Sequence, residues 1–192
     1  MTKIRNVLIT VPHAACDPVE NDQADTGGHP CDLLAHHFAR LLEHKFRLSN
    51  DIRSILIVGD IARARCDLTR KTCSSTTFAH DAVRALESDA VDLYLEVHSF
   101  PVKQKEWRLW QVVEIVDAGQ TSGARNFFAT VGARIEQAGI HAALLTGKNN
   151  FLQQTASSHN IPAVMLEVRE DLSQNQMLEI ASIIVASCCA AM

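Results

Sequence analysis

The sequence predicts a domain of the α/β class, in which a mostly parallel sheet lies between two layers of helices. Apolar runs of strand length alternate along the chain with segments of helical periodicity. Several of these runs are rich in Val, Ile and Leu, as is typical of strands that are buried on both faces. No internal repeat, low-complexity tract or linker divides the 192 residues. We therefore expect a three-layer α/β/α sandwich that forms one domain over residues 1–192.

The first part of the chain has the pattern of a β-α-β unit. Val7–Val11 is a β-branched run closed by Pro12, and Ser54–Val58 is a second apolar run that ends before Gly59. Between them, apolar residues recur at spacings of three and four from about Cys31 to Phe46, which predicts one apolar helix face. The unit predicts two neighbouring parallel strands.

The same alternation continues to the C-terminus. The remaining predicted elements are a helix over about Thr76–Ser88, strands at Val91–His98 and Leu109–Val116, a helix over about Ser122–Ala138, a strand at Ile161–Val168 and a helix over Leu172–Ala190. The loops between these elements begin at the end of a predicted strand or shortly after it. Ligands of open α/β sheets bind beyond the carboxyl ends of the strands, so we expect the chemistry of the protein there.

Composition excludes two classes of partner. The formal net charge is −4, and lysine and arginine form no stripe or tail, so we expect no nucleic acid as a main partner. The most apolar tail, Ile180–Met192, has 13 residues, whereas a membrane span needs about 20. This tail predicts a buried C-terminal helix, and we expect no membrane partner.

Cysteine usage predicts a reducing compartment. The six cysteines form no C-x-x-C pair, and the N-terminus has no pattern of a secretory signal. We therefore interpret all six as reduced thiols in a cytoplasmic protein. The oligomeric state stays open.

Three polar side chains lie at or near the ends of predicted strands. His13 follows the first strand, His98 ends the strand at Val91–His98, and Glu167 lies near the end of the last strand. A hydrolytic zinc site needs about three nitrogen or oxygen ligands, an open position and a nearby carboxylate base. The alternative for each residue is a polar side chain that is hydrogen-bonded or solvated without any catalytic role.

A charged motif, Arg65-Cys66-Asp67-Leu68-Thr69-Arg70, follows the strand at Ser54–Val58. Its carboxylate and two guanidinium groups can form an internal brace and still present one arginine to an anionic substrate. The alternative is a cluster of surface charges.

Five segments, taken together in this order, resemble the N-formylglutamate amidohydrolase family. They are similar to its P-H-x-G, D-x-G-A, R-x-x-D-L-N-R, D-L-H-S and hydrophobic-E-x-R motifs. The segments are Val11-Pro12-His13-Ala14, Asp25-Thr26-Gly27-Gly28, Arg65-Cys66-Asp67-Leu68-Thr69-Arg70, Leu95-Glu96-Val97-His98-Ser99-Phe100 and Val164-Met165-Leu166-Glu167-Val168-Arg169. The resemblance extends over most of the chain.

The resemblance implies a zinc-exopeptidase type of fold, as in zinc carboxypeptidases and aspartoacylase-like deacylases. It implies one zinc ion per chain, with His13 and His98 as ligands. Carboxypeptidase-like sites carry a glutamate three residues after the first histidine, and Cys16 occupies that position here. We therefore expect Asp25 as the third ligand, with Cys16 and Glu20 as alternatives.

The resemblance also implies roles for the other polar residues. Glu167 matches the general base, and Arg70 matches the arginine that binds the substrate carboxylate. Arg169 is a second candidate for that anion, and Lys148 either contacts the substrate or belongs to a plain loop before a helix. Asp67 is expected to be a structural brace.

The sequence departs from the family pattern at three places. Thr69 replaces the usual asparagine, Glu96 replaces the usual aspartate before the histidine, and Ala15-Cys16 replaces the usual glycine. The expected activity is metal-dependent hydrolysis of the amide of a small anionic N-acyl amino acid, such as N-formylglutamate. The alternatives are a zinc amidase or peptidase acting on peptide or cell-wall amides, and a binding domain without catalysis.

Overall fold

The computed structural model describes residues 4–15, 32–61, 65–88, 90–102, 109–117, 122–147 and 150–190. Within these residues a six-stranded mixed sheet is covered by helices on both faces, so the predicted α/β/α sandwich is confirmed. The strands are β1 Asn6–Val11, β2 Arg53–Val58, β3 Leu93–Phe100, β4 Val112–Asp117, β5 Ala142–Gly147 and β6 Ala163–Arg169. The helices are α1 Leu33–Leu48, α2 Thr77–Glu87, α3 Ser122–Gln137, α4 Phe151–Ser158 and α5 Gln174–Ala190.

The strand order is β2-β1-β3-β6-β4-β5. The first four strands in this order are mutually parallel, β4 is antiparallel to β6, and β5 is parallel to β4. The carboxyl ends of β1, β3 and β6 therefore meet at one edge of the sheet. This edge is where an open α/β sheet carries its ligand site.

Two apolar cores hold the helices against the sheet. The larger core packs one face of the sheet against α1, α3 and α5, through side chains such as Phe38, Phe128 and Ile184. The smaller core packs the other face against α2 and α4, through side chains such as Phe78 and Leu152. Both faces of the central strands are thus buried, which explains why their sequences are continuously apolar.

The predicted elements agree with the observed ones within a few residues, and two elements were not predicted. The strand β5 has the sequence AALLTG and is only half-buried at most positions, so it lacks the long β-branched run of a central strand. The helix α4 has only eight residues, too few to establish a helical period. Both lie between the predicted helix that ends at about Ala138 and the predicted strand that begins at Ile161, where the sequence predicts no helix or strand.

The prediction that all six cysteines are reduced is wrong for one pair. Cys66 and Cys73 form a disulfide, with a Cα–Cα distance of 6.0 Å. A single 3₁₀ turn at Lys71–Cys73 folds the chain back and brings the two residues together, which their spacing in the sequence does not reveal. Cys188 and Cys189 are free thiols, and Cys16 and Cys31 lie outside the described residues.

Among the described helices, none combines the length and the apolar character that a membrane span requires.

The larger core contains one carboxyl group without a hydrogen-bond partner. Glu114, on β4, is fully buried, and both of its carboxyl oxygens lack a partner among the described residues. It lines a small cavity whose other walls are apolar, including Leu95, Phe128 and Val131. Burial raises the pKa of Glu114 to about 8, because the ionised form loses its hydration there.

Candidate functional site

The carboxyl ends of β1 and β3 bring His13 and His98 together. Both side chains are buried, and their ring centroids are 5.1 Å apart. Glu167 on β6 is the register partner of His98 on β3. Paired residues of adjacent strands project from the same face of a sheet, so Glu167 lies on the same face as His98. The sequence predicted all three residues, and the fold assembles them at one edge.

His98 is held between two carboxylates. Its Nδ1 atom lies 3.0 Å from Asp32 Oδ2, and its Nε2 atom lies 2.8 Å from Glu96 Oε1. Burial opposes the charged form of His98, but the hydrogen bonds to Asp32 and Glu96 outweigh it. Together with the charge of Glu167 they raise the pKa of His98 well above 6.5.

Asp32 links the two histidines, and sequence reasoning missed it. Asp32 is the residue before α1, yet its side chain makes no cap hydrogen bond to the helix. The buried carboxylate contacts His98 instead, and the Asp32 backbone N–H donates to the carbonyl oxygen of His13 at 2.8 Å. The available signal was an acidic residue at the start of the first predicted helix, a position that is usually interpreted as a cap.

His13 contacts a second carboxylate from the charged motif. Its Nε2 atom lies 3.3 Å from Asp67 Oδ1, within ion-pair distance, but neither ring nitrogen of His13 has a hydrogen bond of good geometry to the described residues. Burial opposes the charge of Asp67, but its contact with His13 and its hydrogen bonds from Thr69 lower the pKa of Asp67 well below its usual range. Asp67 is thus an ionised carboxylate beside a buried histidine.

Asp67 also contacts the rest of its motif. It accepts hydrogen bonds from the Thr69 backbone and hydroxyl group at 3.1 and 2.6 Å, and from Arg70 Nε at 3.3 Å. The disulfide between Cys66 and Cys73 closes the same segment. These contacts fit the expected bracing role of Asp67.

The two arginines proposed for an anionic substrate have different environments. The Arg70 side chain is 71% exposed and contacts Asp67 through Nε, whereas the Arg169 side chain is only 15% exposed. Arg169 forms a two-pronged ion pair with Asp171 at 2.6 and 3.1 Å and donates to the Trp110 carbonyl oxygen. Arg70 is therefore the better placed of the two to turn toward a substrate.

Several predicted site residues lie outside the described residues. They are Asp25, Lys148, and the alternative ligands Cys16 and Glu20. Their roles stay predictions.

The donor types at the site fit a zinc ion. Imidazole nitrogens and a carboxylate oxygen are the ligands that catalytic zinc takes, and His13, Asp32 and His98 supply them. Among the described residues, the buried ring nitrogens of His13 have no hydrogen bond of good geometry, although Nε2 lies 3.3 Å from Asp67. Such nitrogens are able to act as metal ligands. No three described side chains, however, surround a common point as a bound metal requires.

The fold is similar to those of several solved structures, among them an amidase and an aminoacylase. A gene product of Agrobacterium tumefaciens matches with a TM-score of 0.65 and 17% identity, over 96% of this chain and 89% of that chain. An N-acetylmuramoyl-L-alanine amidase of Clostridium difficile 630 matches with a TM-score of 0.64 and 15% identity, over 98% and 97%. Murine aminoacylase 3 matches with a TM-score of 0.55 and 13% identity, over 98% of this chain and 64% of that chain.

No family model matches the sequence, and a search of curated proteins finds no match. At these low identities the similarity establishes the fold alone. The resemblance to N-formylglutamate amidohydrolases therefore remains one of short motifs.

Proposed function

We propose that this protein is a metal-dependent amidohydrolase that cleaves the amide bond of a small N-acyl amino acid. The observation that carries the proposal is that His13 and His98 lie close together at the carboxyl edge of the sheet, with Asp32 in contact with both and Glu167 adjacent to His98. The similarity in fold to an amidase and to an aminoacylase supports an amide as the substrate.

The proposed ligands are His13, Asp32 and His98, with Asp25 as the alternative third ligand from the sequence. A bound zinc ion would polarise the scissile carbonyl and make water more acidic. Asp32 is preferred because its carboxylate touches His98 while its backbone is bonded to His13. Asp32 thereby contacts both histidines.

Glu167 is proposed as the general base. A carboxylate beside the ligands can accept a proton from the attacking water and then donate it to the departing amine. The rigid pairing of β3 with β6 holds Glu167 at a constant distance from His98. Such fixed placement is what catalysis by orientation requires.

The substrate proposal rests on the exposed guanidinium of Arg70. Arg70 lies three residues from Asp67, which contacts His13, so a carboxylate bound by Arg70 would lie close to the histidines. Arginine binds carboxylates in a two-pronged geometry. A small anionic N-acyl amino acid, such as N-formylglutamate, has the corresponding groups.

We expect the zinc-loaded protein to hydrolyse N-formyl and N-acetyl amino acids, and a chelator to abolish the activity reversibly. Arg70→Ala should raise KM by roughly 10- to 100-fold with a smaller change in kcat, because a charge-assisted contact to the substrate contributes about 1.5–3 kcal/mol. The measurement is steady-state kinetics on a panel of N-acyl amino acids and muropeptides.

Arg84→Ala is the matched control, because Arg84 is also an exposed arginine that pairs with an aspartate three residues earlier. Turnover of muropeptides alone would favour the cell-wall amidase. Zinc binding without turnover of any amide in the panel would favour the non-catalytic binding domain and contradict the proposal.

A further inference from the structure

Glu96 is a fully buried carboxylate whose two oxygens contact three donors. Oε1 lies 2.8 Å from His98 Nε2 and accepts a hydrogen bond from Asn150 Nδ2 at 2.5 Å, while Oε2 accepts a bond from the Tyr94 hydroxyl at 2.6 Å. The Tyr94 hydroxyl lies 2.9 Å from Thr10 Oγ1. A buried carboxylate needs such a set of donors, because each unmatched oxygen would be costly.

The network joins the sheet to α4. Thr10 and Glu96 are register partners on β1 and β3, and Tyr94 lies two residues before Glu96, so all three project from one face of the sheet. Asn150 precedes α4 and caps it through Oδ1, which leaves its amide group to donate to Glu96. Asn150 therefore uses its Oδ1 atom for α4 and its Nδ2 atom for Glu96.

The contact with Glu96 determines which ring nitrogen of His98 is open to a ligand. Carboxylate oxygens accept hydrogen bonds, and Asn150 and Tyr94 supply two of the three donors around Glu96. The His98 nitrogen that contacts Glu96 must therefore carry hydrogen. The opposite nitrogen, Nδ1, faces Asp32.

We propose that Glu96 is a positioning residue that holds His98 through its Nε2–H and so directs Nδ1 toward a metal on the Asp32 side, where the metal would replace the Nδ1 proton. This inference rests on the proposed function. Ligand histidines commonly donate their other N–H to a carboxylate, which fixes the ring and strengthens the ligand. Glu96, which replaces the usual aspartate of the motif, would therefore orient His98.

The length of Glu96 is part of this role. Shortening the side chain to aspartate withdraws the carboxylate by about 1.5 Å, so it can no longer reach His98 while it also contacts Tyr94 and Asn150. Replacement by methionine keeps the length of the side chain but removes both acceptor oxygens. No group at position 96 then remains to accept a hydrogen bond from His98 Nε2–H.

The test combines zinc affinity with the imidazole NMR spectrum of His98. Zinc dissociation constants would be measured by competition with a chelator, and imidazole ¹⁵N–¹H spectra would be recorded with and without zinc. We expect Glu96→Met to weaken zinc binding by roughly 10- to 100-fold and to remove the protected Nε2–H signal. Glu43→Met, on the helix α1 away from this network, should change neither.

A second variant keeps the test informative if Glu96→Met does not fold. Asn150→Ser keeps a residue that can cap α4 but removes the amide donor to Glu96, so it should weaken zinc binding by a smaller factor. Unchanged zinc affinity and an unchanged His98 spectrum in both variants would overturn the inference and leave the proposed function intact. If the wild-type protein binds no zinc, the proposed function fails, and the dependence of the metal-free Nε2–H signal on Glu96 decides the positioning role by itself.

Discussion

Glu167→Gln is expected to lower kcat for amide hydrolysis by roughly 10²- to 10⁴-fold while the protein keeps its metal. Glutamine has nearly the same size as glutamate but cannot accept and return a proton at neutral pH. Because Glu167 pairs in register with His98 through the backbone of β6, the substitution leaves the strands and the proposed ligands in place. The effect should therefore fall on turnover rather than on zinc affinity.

The control for this prediction is Glu179→Gln, an exposed position on α5. Single-turnover kinetics would separate the chemical step from product release. A Glu167→Gln variant with unchanged kcat would remove Glu167 from the mechanism. Loss of zinc from the variant would instead make Glu167 a ligand.

The second large effect is expected on stability, through Glu114. The carboxyl of Glu114 has a pKa of about 8 in the folded protein and about 4.5 when exposed. Between these values the folded state keeps a proton that the unfolded state has lost, so the free energy of unfolding falls as pH rises. The slope is about 1.4 kcal/mol per pH unit, which amounts to roughly 4–5 kcal/mol between pH 4.5 and 8.

The measurement is the free energy of unfolding in urea at several pH values from 5 to 9. Glu114→Met should remove this contribution, because it fills the apolar cavity without an ionisable group, and the difference from the wild-type protein isolates it from other titrating groups. Glu114→Gln should remove the pH slope as well, and Glu87→Gln, at an exposed position, should leave the slope unchanged. Equal slopes in the wild-type protein and Glu114→Met would contradict the assignment.

The sequence predicted those site residues that lie on a strand or directly after one. His13, His98 and Glu167 lie directly after or within apolar runs, and parallel strands bring their carboxyl ends to one edge whatever the connecting segments do. Local sequence therefore placed these three residues correctly relative to the fold. The same reasoning located α1, α2, α3 and α5, whose apolar faces repeat at helical spacing.

The contacts between distant segments could not be predicted in this way. Asp32 touches His98 across 66 positions of the chain, and Asn150 touches Glu96 across 54. Both residues precede helices, where an aspartate or asparagine is usually explained by capping. Asn150 does cap its helix while it also donates to Glu96. Because capping by itself explains an asparagine at this position, the sequence does not indicate the second contact.

The most direct test of the central claim is the zinc content of the purified wild-type protein beside three variants, His13→Ala, Asp32→Ala and His98→Ala. We predict about one zinc ion per chain in the wild-type protein and loss of the zinc ion in all three variants. The control is His44→Ala, at an exposed position of α1, which should keep its zinc ion. Retention of zinc in Asp32→Ala with loss in Asp25→Ala would transfer the third ligand to Asp25. A wild-type protein that takes up no zinc, or histidine variants that bind it as tightly as the wild type, would contradict the account.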